Sequence, residues 1–227
     1  MKDSRQSRTI KARYLVTPII ALVVINYLGA AFVPTLAPDY PLLLIAMNPR
    51  NAHLILVANN TPFWAFVLVG SLRLLVSDPL FYLLGYQHGD AGKRWIDRQV
   101  QGSGRIIAIL ERWFPRISWL LVFAAPNNIV SLLAGVTRMR FAVFAALNIT
   151  GTLTRLLLIW WFADLVQDQL NWILDIFTRY RWQLTAVTIA AVGLQVIMSV
   201  RGNKGDVHDL IELEHEIEGE EPDDSIQ

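Results

Sequence analysis

The 227-residue chain has no cysteine, which excludes disulfides, thiolate nucleophiles and thiolate metal ligands. Acid is scarce over most of its length. Residues 1–200 hold nine Asp/Glu against 18 Lys/Arg, and the first glutamate is Glu111. Of the four histidines, His53 and His88 are too isolated to suggest a metal site, so neither metal nor cofactor is expected. Neither H-E-x-x-H nor G-x-S-x-G occurs. Gly89-Asp-Ala-Gly92-Lys93-Arg94 superficially resembles a phosphate loop, but the upstream glycine is missing and Arg94 replaces Ser/Thr. The chain is therefore not expected to be an enzyme. Nucleic acid is not an expected partner either, because the basic residues follow no groove-reading motif.

What the chain has in quantity is apolar sequence. Apolar residues make up 54% of it, the mean hydropathy is +0.39, and there are eight tryptophans, a membrane composition. Tyr14–Val33, Phe63–Leu84, Phe141–Ala163 and Trp182–Val200 each approach the roughly 20 residues that cross a bilayer as a helix. The second holds Arg73, Asp78 and Pro79, and the third holds Arg155. Between them, Asp164–Tyr180 alternates apolar and polar residues at helical spacing, the pattern of a helix in the headgroup plane, and Ile106–Phe114 repeats it weakly.

Two further apolar stretches are broken at their centres. Pro41–Met47 and Ala52–Ala58 flank Asn48-Pro49-Arg50-Asn51, while Ile117–Ala125 and Ile129–Val136 flank Pro126-Asn127-Asn128. Each arm is too short to span. Two such arms around a Pro/Asn hinge predict a hairpin that enters and leaves on one face, its irregular backbone shielded by protein or lining a wet cavity. Interrupted segments in corresponding halves also point to a midplane transport site.

Charge orients the chain. Lys2, Arg5, Arg8, Lys11 and Arg13 place the N-terminus in the cytoplasm, and Lys93, Arg94, Arg98, Arg105, Arg112 and Arg116 mark a second cytoplasmic loop. With both broken segments as hairpins, 15 basic residues lie inside and only Arg179 and Arg181 outside. The expected fold is thus an all-α polytopic membrane protein with about four transmembrane helices and two oppositely oriented re-entrant hairpins. Residues 1–13 form the cytoplasmic N-terminus, 14–200 the membrane domain, and 201–227 an acidic cytoplasmic tail read as solvated and disordered, with ten acids against Arg201 and Lys204.

Tyr82-Leu-Leu-Gly85-Tyr-Gln-His-Gly89, then Phe114-Pro115, Pro126-Asn127, Leu133-Ala134-Gly135, Arg138-Met139 and Phe144 with Asn148-Ile-Thr-Gly151, resembles the VTT-domain (DedA) superfamily over about residues 40–163. The resemblance implies paired re-entrant helices and lipid movement, of polyprenyl phosphate in bacterial members or of phospholipid in eukaryotic ones. The chain departs from the bacterial carrier pattern. That pattern has P-G-E in the first hairpin and R-F-x-P-G-x-R in the second, where this chain has no Glu and reads Phe123-Ala-Ala-Pro126-Asn127-Asn128. Its Pro-Asn is closer to the scramblase branch, which implies passage without proton coupling.

Ionisable groups inside a membrane default to function, so Arg73, Asp78 and Arg155, with Arg50 at the first hinge, are the candidate headgroup-binding residues. Arg suits phosphate oxygens. Asn48, Asn127 and Asn128 are expected to line the same seam, or else merely to make turns. Arg73 and Arg155 have an alternative reading as snorkelling or Asp78-paired residues. Pro126, Gly85, Gly89, Gly135, Asn148 and Gly151 are read as structural, the glycines through close helix contact. The function expected is lipid transport, with membrane lipids as partners, phospholipid or polyprenyl phosphate, in a bacterial plasma membrane. Two alternatives stand beside it. One is a non-transporting organiser that binds a protein through the acidic tail; the other is a proton-coupled carrier using Asp78. Self-association as a homo-oligomer is a further expectation.

Overall fold

The computed structural model describes residues 12–90, 93–94, 116–201, 210–213 and 217, and all regular structure among them is helical. Helix α1 (Ala12–Ala31) is followed by α2 (Val33–Asp39), α3 (Pro41–Met47) and α4 (Asn51–Val57). A 3-10 turn at Ala58–Asn60 leads to α5 (Phe63–Gln87). Residues 116–124 form α6, and then come α7 (Asn128–Val136), α8 (Phe141–Leu165), α9 (Gln167–Arg179) and α10 (Arg181–Arg201). Helices α1, α5, α8 and α10 are long and apolar enough to cross a membrane, so this is an all-α polytopic membrane protein.

Proline sets several boundaries. Pro34 and Pro41 stand in the first turns of α2 and α3, where the missing N–H has no helical acceptor to lose. The first span therefore ends at Ala31, two residues short of the expected Val33, and a separate short helix follows the turn at Phe32. Pro79 lies inside α5 and removes the bond that Leu75 O would otherwise accept. The stretch expected in the headgroup plane is α9, which buries Leu170 and Leu174 and leaves Trp172 exposed. Ile106–Phe114 lies outside the described residues.

Within a bilayer, lipid tails are as apolar as leucine, so helices associate through close packing and hydrogen bonds. The closest backbone packing is at α5, α7 and α8. A Cβ on Gly85 would stand 2.1 Å from Leu132 O, and one on Gly135 would stand 2.0 Å from Tyr82 O, so α5 and α7 touch backbone to backbone. Gly151 in α8 is pressed equally closely on Phe123 O at the end of α6. Gly89 differs from the expectation. Among the described residues nothing lies within 4 Å of where its Cβ would be, so it mediates no contact with a described helix. At the other end, Arg181 pairs with Asp39 at 2.6 Å and Thr35 bonds Thr185 at 2.8 Å, tying α10 to α2.

The described residues of the acidic tail depart from the solvated extension expected. Residues 210–213 are helical, and Leu210, Leu213 and Ile217 are at most 2% exposed, packed with Leu15, Val16 and Ile19 of α1 and Leu132 and Leu133 of α7. Apolar residues at i, i+3 and i+7 share one helical face, and that face is in the core. Residues 218–227 lie outside the described set.

Candidate functional site

The two chain breaks meet at one cavity of about 440 Å³. Asn48, Pro49 and Arg50 reach it from the α3–α4 break, and Pro126, Asn127 and Asn128 from the α6–α7 break. Helix α5 contributes Arg73, Ser77 and Asp78; α8 contributes Thr152 and Arg155; α1 contributes Asn26. Arg73 is the eleventh and Asp78 the sixteenth of the 25 residues of α5, and Arg155 the fifteenth of 25 in α8. At 1.5 Å per residue, each arginine lies about 15 Å from the nearer end of its helix, beyond the reach of a snorkelling side chain. The cavity is thus at mid-depth of the spans, with three guanidinium groups against one carboxylate.

Arg73 is anchored by the first break. A helix leaves its last carbonyls without internal partners. Arg73 Nε donates to one of them, Ala46 O of α3, at 2.9 Å, and Nη2 donates to Asn26 Oδ1 at 3.1 Å and Leu22 O at 3.4 Å. A cation at a helix C-terminus also meets the negative end of the helix dipole. Nη1 has no acceptor among the described residues, which leaves two N–H groups of the fork without a described partner. Asn48 is fully buried beside it. Its Nδ2 donates to Asn26 O at 2.9 Å, while Oδ1 has no partner. His53 Nδ1 lies 3.1 Å from Asn48 O and closes the turn. Gly29 of α1 makes room for this break: a Cβ there would stand 2.9 Å from those of Met47 and Asn48.

The second break is built differently. Asn127 Oδ1 accepts from Val130 N at 2.9 Å and so caps α7, the role Asn fills best at a helix start. Asn128 is exposed to the cavity. Arg155 reaches across to the first break, where Nε donates to Asn51 Oδ1 at 2.9 Å and Nη2 donates to the same oxygen. It makes no ion pair within 4 Å with Asp78, although the two charges face one another. Asp78 is buried, with Asn148 of α8 and Ser131 of α7 as its hydrogen-bonding neighbours. Asn148 Oδ1 is itself buried without a partner. A carboxylate at that depth needs such polar neighbours to offset lost hydration.

All seven candidate binding residues therefore line one cavity: Asn48, Arg50, Arg73, Asp78, Asn127, Asn128 and Arg155. The sequence reading passed over Asn26 and Ser131. Asn26 lies in an otherwise apolar span, a polar residue at membrane depth, and that signal was available. Ser131 gave none, since serine is common where helices pack. The residues that carry the family resemblance are placed mostly outside the cavity. Tyr82 donates to Met139 O at 2.5 Å and stacks on Phe144 at 4.6 Å, and Arg138 lies over the Tyr86 ring at 4.2 Å. They hold α5, α7 and α8 together beneath it. Phe114-Pro115 lies outside the described residues.

The family model for the VTT domain covers residues 48–165, which runs from Asn48 at the first break to the last residue of α8. No curated protein and no solved structure matches the chain.

Proposed function

The chain belongs to the VTT domain family, and from that premise we propose that it moves lipids across the membrane, passing a phosphate-bearing headgroup between the two broken segments while the hydrocarbon chains stay in the bilayer. The family is one of membrane proteins linked to transport and lipid-related roles, transporter-like rather than enzymatic. The observation that carries the reading is the convergence of both chain breaks and three arginines on one mid-depth cavity. The breaks free backbone groups, and the free N–H groups of Arg73 and Arg155 suit phosphate oxygens. Arms of seven to nine residues, about 10–14 Å long, cannot cross a ~30 Å hydrocarbon core, which supports re-entrant hairpins. The positive-inside distribution supports a cytoplasmic location of both termini, and a bacterial plasma membrane is the setting we propose. The phosphate belongs to a phospholipid or a polyprenyl phosphate. Absence of the hairpin glutamate favours passage without proton coupling. Burial of Asp78 at mid-depth beside Ser131 and Asn148 favours a second reading, a proton-coupled carrier.

The test is the purified chain in vesicles carrying a headgroup-labelled phospholipid and, in parallel, polyprenyl phosphate. Wild type should speed passage of at least one of them. Arg73→Gln keeps hydrogen-bond donors and removes the charge. A charged hydrogen bond contributes about 1.5–3 kcal/mol, so anionic lipid should slow by roughly 10- to 100-fold, with zwitterionic lipid less affected. No passage of either lipid by wild type would refute the proposal.

A further inference from the structure

A second cavity of about 760 Å³ adjoins the first and shares Pro126, Asn127 and Arg155 with it. Its character is opposite. Beyond those shared residues, Asn51 and Thr154, its walls are apolar, with Ile55 from α4, Phe123 and Ala124 from α6, and Leu158 and Phe162 from α8. Leu158 is 59% and Phe162 49% exposed, so in a membrane this cavity is a groove open to lipid. Along α8 it runs from Gly151 to Phe162, about 16 Å at 1.5 Å per residue, which matches half of a ~30 Å hydrocarbon core.

The geometry points to a two-part lipid site: the groove seats one hydrocarbon chain of the lipid whose phosphate occupies the polar cavity. Continuity of the two spaces commits the groove to this occupant. A helix from another protein would meet Arg155, Asn127 and Asn51 at the inner end, whereas a lipid carries its own polar group to that point. The Arg155–Asn51 contact is the sill between the parts, joining α8 to α4 where the groove opens into the cavity. A lipid seated in this way has its phosphate at mid-depth and one chain pointing back towards the α8–α9 end. The inference rests on the transport reading, but its own test is separable from it.

The full chain is reconstituted in phosphatidylcholine vesicles containing phosphatidylglycerol with a photoreactive diazirine at the end of one acyl chain. Adducts are mapped by mass spectrometry at Leu158 and at Val187. Leu158 lies seven residues from Leu165 of α8, and Val187 six from Arg181 of α10, so both stand at similar depth from the same side. Both are exposed, Val187 at 63%. Labelling should favour Leu158 severalfold. It should fall there, and not at Val187, in Ala124→Trp, which fills the groove from an exposed position, or in Ala125→Trp if the first variant folds poorly. Unlabelled phosphatidylglycerol or polyprenyl phosphate should compete, and the stronger competitor identifies the lipid. Equal labelling at the two positions, or loss at both in the variants, would overturn the groove as a site. Preferential labelling without lipid movement in the same vesicles would keep the site and remove the transport reading; movement with equal labelling would do the reverse.

Discussion

Gly135→Ala should destabilise the protein more than any other single methyl addition among the described glycines. The added Cβ would stand 2.0 Å from Tyr82 O and 2.7 Å from Tyr86 N, both backbone atoms of α5. Ordinary contact begins at 3.4 Å, so α5 and α7 must separate by about 1.4 Å. Overpacking costs about 1–3 kcal/mol when flexible side chains can yield. No side chain can yield here, so the upper end applies, and at about 2–4 °C per kcal/mol the melting temperature should fall by roughly 6–12 °C. Separation would also carry Ser131, one turn before Gly135, away from Asp78. Thermal unfolding in detergent, followed by fluorescence and by size-exclusion profile, measures the shift. Gly85→Ala opens the same contact, so the double variant should lose less than the sum of the two singles. Gly89→Ala is the internal control: it meets nothing, and alanine favours helix, so it should be neutral or slightly stabilising. A Gly135→Ala protein that melts with wild type, or a Gly89→Ala protein that loses as much, would refute the argument.

Three further outcomes are expected. Leu213→Ala should cost about 2–5 kcal/mol because the residue is fully buried, read as a lower melting temperature, whereas Ile211→Ala, at a position 40% exposed, should lower it far less. In this cysteine-free chain, a cysteine at Ser103 should be labelled only from the cytoplasm and one at Asn171 only from outside; external labelling at Ser103 would remove the two-hairpin topology. Asp78→Asn should lower lipid movement modestly with an unchanged pH profile, and abolition of a steep dependence on a proton gradient would instead establish the carrier reading.

The breaks were legible because membrane sequence makes polarity conspicuous. Asn48-Pro49-Arg50 and Pro126-Asn127-Asn128 interrupt apolar runs, and the helices stop within a residue or two of where composition says they should. Gly85, Gly135 and Gly151 were legible as small residues, but Gly89 has the same identity without a neighbour, since sequence does not say which face of a helix another helix covers. The burial of Leu210, Leu213 and Ile217 was missed for a related reason. The tail's eight glutamate and aspartate residues from Glu212 to Asp224 dominate any compositional average, while Leu210, Leu213 and Ile217 are only three residues. What decides their fate is their shared face, and a window average erases it. One consequence is practical: truncation at residue 205 would remove three core side chains together with the acids, so loss of activity in that variant would report unfolding as readily as loss of a partner.

Arg73 shows why site and scaffold cannot be separated by residue type alone. As a sequence element it is an arginine in a membrane span, equally suited to a phosphate or to a structural partner. In the fold it takes the structural part, with Nε and Nη2 holding Ala46 O and Asn26 Oδ1, and it also lines the cavity, where the proposed phosphate would meet the rest of the fork. The buried acceptors fix the guanidinium plane before any ligand arrives, so the remaining donors are preorganised and binding loses less side-chain entropy. Arg155, anchored on Asn51, repeats the arrangement from the other side of the cavity. Truncating either arginine would thus remove a proposed phosphate contact and a structural hydrogen bond at a break at once. Only substitutions that keep the donors and change the charge can divide the two effects, and this is why glutamine rather than alanine carries the test of transport.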